Sequence, residues 1–158
     1  MTDRFRKLNL YTCTLTLWLA LLPMQSISQS DKNNNPVMNP QTLRPCPDSP
    51  NCVSSQVDAG DHFVDPLSYT GSGRIAFARL KETIANFPGT RMIQFSDSYL
   101  HAEFRTRWLK FTDDFEALLD EQQPVIHIRS ASRVGYWDLG TNRRRVETIR
   151  ALLQSRLK

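Results

Sequence analysis

The chain lacks the roughly 20 consecutive apolar residues that a membrane-spanning helix needs. Its longest apolar run, residues 8–22, is shorter and carries Thr12, Thr14 and Thr16. Cysteine is scarce as well, with three in 158 residues. No C-x-x-C pair is present, which argues against a redox motif, and two lone cysteines outside the apolar run make a poor metal cage. There is no G-x-S-x-G elbow of the kind that presents a nucleophilic serine. Internal repeats are absent too, and the length suits one domain with one core.

What is present at the N-terminus is a layout for export. Arg4, Arg6 and Lys7 precede the apolar run, Pro23 ends it, and Ser26 and Ser28 supply small residues before Gln29. Residues 1–28 are therefore expected to be a cleaved signal peptide, with an uncleaved inner-membrane anchor as the alternative. Cys13 lies inside the apolar run and not after it, so a lipoprotein is not expected. Cleavage would leave 17 of 20 basic and 15 of 16 acidic residues, a net of +2. So small an excess, on an exported chain, argues against nucleic acid as a partner. Cys46 and Cys52 remain, and an even pair in an exported chain is expected to form a disulfide.

Residues 29–44 are polar, rich in Asn and without apolar periodicity, and are expected to be a flexible linker to a single domain at 45–158. Within it, residues 62–69 suggest a strand broken or edged at Pro66. A helix is expected from Arg74, with Phe77, Leu80, Ile84 and Phe87 in one stripe and Pro88-Gly89 as its stop. Strands are expected at 90–96, 99–107, 110–119 and 125–133, joined by connections short enough for an antiparallel meander. A last helix is expected at 142–157, with Thr141 as its N-cap and Val146, Ile149, Leu153 and Leu157 as its stripe. The fold class is α+β: an antiparallel sheet of about five strands with two helices on one face, in the order strand, helix, four strands, helix.

Strand alternation sorts the side chains. Leu100, Ala102, Phe104, Phe115, Ala117, Ile126 and Ile128 belong to the core face. Tyr99, His101, Glu103, Asp114, Glu116, His127, Arg129 and Arg133 belong to the other, which is rich in groups able to form charge-assisted bonds. The densest stretch is 129–147, RSASRVGYWDLGTNRRRVE, which runs from a strand through a glycine-flanked loop into a helix N-terminus. Backbone N–H groups, the helix dipole and forked guanidiniums together suit an anion. The candidate ligand site is Arg129, Ser130, Ser132, Arg133, Asp138, Asn142, Arg143 and Arg145, with His101, Glu103 and Asp114 on the polar sheet face. The competing reading is a structural network in which Asp113, Asp114, Glu116, Asp138 and Glu147 neutralise the arginines.

Three segments, CPDSPNCVSS, FTDDFE and RSASRVGYWDLGTNRRRVE, in this order resemble the domain-of-unknown-function family numbered 1499. Its members are small bacterial and plastid proteins, many with a signal or membrane segment. The resemblance spans about residues 44–157 and implies a bacterial exported protein, here without the several membrane spans of some relatives. It implies no activity.

The expected function is a non-catalytic exported binding or accessory domain in the periplasm or outside the cell. Its Arg-rich loop and polar sheet face would recognise a small anionic ligand or an envelope protein. No cofactor and no resident metal are expected. Peripheral membrane contact enters through Tyr136 and Trp137, which could stack on a ligand or dip among headgroups. Two other classes compete. A metal-dependent hydrolase would gather His101, Glu103, Asp114 and His127, and a serine hydrolase would pair Ser130 or Ser132 with His127 or His101. His127 and Ser130 fall on opposite faces of a regular strand, which counts against the second. The third class is a purely structural envelope component.

Overall fold

The computed structural model describes residues 40–105 and 111–157. The expected signal peptide, Cys13 and the linker before residue 40 lie outside these residues. So do the expected ends of the second meander strand beyond Arg105 and of the third before Phe111.

The elements are β1 (Cys52–Ser54), β2 (Leu67–Ser68), α1 (Gly73–Ala85), β3 (Thr90–Phe95), β4 (Tyr99–Arg105), β5 (Thr112–Leu119), β6 (Val125–Ser132) and α2 (Thr141–Arg156). They build one antiparallel sheet in the order β1-β6-β5-β4-β3, with β2 also on β6. β3 to β6 form the expected meander, because each connection is too short for a crossover. The sheet has six strands where about five were expected. Both short N-terminal strands add to the outer side of β6: Cys52–Ser54 opposite Arg129–Ala131, and Leu67–Ser68 opposite Val125–Ile126. The strand expected over 62–69 shrinks to Leu67–Ser68, since Pro66 has no N–H to donate and Phe63 makes only a single parallel bridge with Ser54.

Both helices cover one face. Phe77, Leu80 and Ile84 of α1 and Val146, Ile149 and Leu153 of α2 close over Leu100, Ala102, Phe104, Phe115, Ala117, Ile126 and Ile128. A periodic stripe on each helix and alternate positions on each strand thus meet in one core. After α1 the chain reverses at Gly89 (φ +76°), where an added Cβ would lie 2.6 Å from the Arg105 carbonyl oxygen. Only glycine fits there. On the opposite face Leu43 packs with Tyr99 and Leu118, and Arg44 reaches Glu116, so residues 43–44 lie on the sheet itself. The Cys46–Cys52 disulfide is present beside β1.

Candidate functional site

Strand alternation divides the expected site residues between the two faces of the sheet. On the face away from the helices, Glu116 on β5 stands between His101 on β4 and Arg129 on β6. Its carboxylate accepts from Arg44 Nε, Arg129 Nη1 and the Tyr99 hydroxyl at 2.8–3.1 Å. Burial, then the Glu116 carboxylate, pushes the Tyr99 hydroxyl above the usual phenol range. Burial likewise draws the Arg129 guanidinium below its usual value, against the opposing charge of Glu116.

Two residues along β5, Asp114 accepts from Arg133 Nε and Nη2 at 2.9 and 2.7 Å and pairs with His101 Nε2 at 2.7 Å. Burial alone would raise its carboxyl; Arg133 and His101 outweigh that and hold it at about 2. Glu103 accepts from Arg91 and from Arg133, and both, with Arg91 contributing most, hold its carboxyl low. The acidic and basic groups of this face are therefore joined in consecutive ion pairs.

The other half of the expected site faces α2. Asn142 is fully buried at the first turn of that helix. Its Oδ1 accepts from the Ser130 hydroxyl at 2.7 Å and from Arg145, while its Nδ2 lies 2.8–3.0 Å from Asp138 Oδ2, Ser132 Oγ and the Asn51 carbonyl. Arg145 pairs with buried Asp113 and lies over the Phe104 ring, 4.8 Å from its centroid. A guanidinium so enclosed is compensated by its carboxylate and its hydrogen bonds, because an unpaired charge there would be very costly. Asp113 and Asp114 point to opposite faces, as alternation requires.

Asp138 occupies the position expected for a ligand anion at the start of α2. Its Oδ1 accepts from Gly140 N and its Oδ2 from Asn142 N, both at 2.8 Å, and Thr141 N bonds its carbonyl. The N-cap is Gly140 in the left-handed conformation and not Thr141, whose hydroxyl accepts from Arg144. The chain's own carboxylate satisfies these donors.

Sequence reasoning missed a serine–histidine–aspartate contact. His127 Nδ1 lies 3.2 Å from Ser55 Oγ and Nε2 lies 3.2 Å from Asp120 Oδ2. Ser55 Oγ also accepts from Ile128 N at 2.9 Å, and Asp120 Oδ1 accepts from Gln122 N and Gln123 N. The contact ties the end of β1 and the β5–β6 turn to β6. The serines expected to pair with histidine are elsewhere: Ser130 bonds Asn142, and Ser132 is within reach of its Nδ2. Among the described residues no three His, Cys, Asp or Glu side chains come together to hold a metal ion. His101 and His127 do not meet, because their β5 partners, Glu116 and Leu118, differ.

Of the arginines between Arg129 and Arg145, Arg143 and Arg144 pair with no carboxylate among the described residues. Arg143 donates to the carbonyls of Asp61 and Phe63 at 2.7 and 2.8 Å, and Arg144 to the Leu139 carbonyl at 2.8 Å. Both are exposed. Neutral carbonyls orient these charges without cancelling them. Arg143 lines a groove of about 420 Å³ with Gly60, Asp61, Phe63, Trp137 and Gly140.

A family model described as "Protein of unknown function (DUF1499)" matches residues 42–153. The chain belongs to this family. No curated protein matches it. The family segment takes in both ion-pair faces, the Asn142 cluster and the groove, and it begins beside Leu43, the first buried residue on the sheet. No described helix is long and apolar enough to cross a membrane.

The structure therefore brings together Arg133, His101, Glu103 and Asp114 on one face, with Arg129 beside them on Glu116. It joins Ser130, Ser132, Asp138, Asn142 and Arg145 on the other, and leaves Arg143 apart at the groove. Arg44, Asn51 and Ser55 were missed as members, whereas Asp113 was expected only as one of the acids that neutralise the arginines and pairs with Arg145. The signal for Asp113 was its place on the core side of β5, and for Arg145 its place one step from Val146 on the buried stripe.

Proposed function

We propose that this protein is an exported, non-catalytic binding domain that takes an anionic group in the groove between Gly60–Phe63 and Trp137–Gly140. One observation carries the proposal. Arg143 is held at the groove wall by two backbone carbonyls and forms no ion pair with a carboxylate among the described residues, which leaves further N–H groups for a ligand. Trp137 adds a large ring surface to the same wall. The remaining candidate arginines are engaged by Glu103, Asp113, Asp114 and Glu116, which favours the structural-network reading for them. Export is supported by the basic and apolar pattern at the N-terminus.

The test is thermal unfolding with sulfate and glycerophosphate in the wild type, Arg143→Gln and Trp137→Ala. Ligand at a hundred times its dissociation constant should stabilise the wild type by about 2.7 kcal/mol. Arg143→Gln should lose that gain, and Trp137→Ala should reduce it. An equal gain in Arg143→Gln, or none in the wild type, would refute the groove as the site.

A further inference from the structure

Four of the exposed large hydrophobic side chains among the described residues lie in the loop between β6 and α2. Val134, Tyr136, Trp137 and Leu139 are 55, 75, 68 and 67% exposed. Phe111, just before β5, adds a fifth exposed apolar side chain at the same end of the sheet, because Asp113 pairs with Ser132 and Arg133 N bonds the Thr112 carbonyl. Burying such side chains lowers free energy, so a loop that keeps them in water over most of their surface is unusual in an isolated domain.

The chain also holds this loop in a defined shape. Asp138 accepts from Gly140 N and Asn142 N, Asn51 Nδ2 donates to the Gly135 carbonyl, and Arg144 donates to the Leu139 carbonyl. Leu139 has φ +54°, a left-handed backbone that a leucine rarely adopts. The fixed backbone therefore presents the Leu139 side chain outward. Beside it stand the exposed guanidiniums of Arg143 and Arg144, neither of them paired with a carboxylate among the described residues. Asp61 lines the groove as the nearby acid, and Asp138 is used up as an acceptor within the chain.

We propose that the Val134–Leu139 loop docks this domain onto an anionic phospholipid bilayer, with Tyr136, Trp137 and Leu139 entering the headgroup region and Arg143 and Arg144 meeting lipid phosphates. The proposal deepens the groove assignment and rests on it, since the phosphate in the groove becomes that of a lipid. Tyrosine and tryptophan suit the interface because each has an apolar body and a polar tip. Each basic residue near an anionic surface contributes about 1 kcal/mol. A protein partner would also cover apolar side chains, but it would not require lipid phosphate.

The chain has three tryptophans, Trp18, Trp108 and Trp137. In the full chain carrying Trp18→Phe and Trp108→Phe, emission reports Trp137 alone, whatever the N-terminal apolar run does. Vesicles of equimolar phosphatidylcholine and phosphatidylglycerol should shift this emission to the blue and protect it from acrylamide. Vesicles of phosphatidylcholine alone should do neither. Adding Arg143→Gln and Arg144→Gln should weaken the anionic-vesicle response roughly thirtyfold, the equivalent of two such charges. Exposed Leu139→Ser should weaken it without unfolding the domain. An equal blue shift with neutral vesicles would overturn the proposal. If glycerophosphate raises the unfolding midpoint but no vesicle shifts Trp137, the docking proposal fails and the groove assignment stands. If neither happens, both fail.

Discussion

At the scale of single residues, Asn142 makes the clearest case for polarity inside the core. It is fully buried, and its amide joins Asn51, Ser130, Ser132, Asp138 and Arg145. Alanine there would leave several buried donors and acceptors without a partner, and each such loss costs about 1–3 kcal/mol. We expect Asn142→Ala to lower stability by roughly 3 kcal/mol, measured as a fall in the urea midpoint at unchanged slope. A loss under about 1 kcal/mol would mean that the cluster repacks or hydrates at little cost. Arg145 teaches a related lesson. In sequence it sits in the run Arg143-Arg144-Arg145 and looks like its neighbours, yet helical spacing turns it inward to Asp113 and leaves the other two outside.

At the scale of elements, the start of α2 depends on Asp138. Its carboxylate serves Gly140 N and Asn142 N, a capping role displaced two residues upstream of the formal cap. Asp138→Ala should cost about 1–2 kcal/mol, with Asp138→Asn closer to the wild type, and the helical circular dichroism should change little. A loss confined to binding, with stability intact, would contradict this role. The elements themselves were largely legible in the sequence. The stripe Phe77, Leu80, Ile84 and the alternation along residues 99–105 and 125–132 are local patterns that survive in the folded core. What local pattern could not supply was pairing between distant segments. Cys52–Ser54 becomes a strand only because β6 offers it an open side. The site was half legible for the same reason. Alternation placed Arg129 and Ser130 on opposite faces, but the partner of each, Glu116 and Asn142, depends on register and on helix placement.

At the scale of the whole molecule, the face away from the helices couples charge to stability. The Asp114 carboxyl falls from an ordinary 3.8 to about 2 in the folded chain, where Arg133 and His101 overcome the effect of burial. A carboxyl lower in the folded state than in the unfolded stabilises above the unfolded value and stops doing so as pH drops through the folded one. We expect roughly 2 kcal/mol of stability to be lost from this group between about pH 4 and pH 2. Arg133→Ala should destabilise at neutral pH and flatten the acid limb, read as unfolding midpoints across that window. An unchanged limb in the variant would show that Arg133 does not hold the carboxylate.

The outer side of β6 carries a kinetic consequence. β3 to β6 follow one another along the chain, so each new strand has only a short loop to close. β1 must instead find Arg129–Ala131 some 75 to 79 residues away, and β2 must find Val125–Ile126. Contacts of such long sequence separation form slowly. On this ground we expect the meander to present an unfilled margin on β6 while the rest of the sheet is assembled, and the N-terminal segment to arrive last, bringing Asn51 to Asn142 and Ser55 to His127. The expected assembly order runs against the order of synthesis: the first part of the domain to be made would be the last to be fixed.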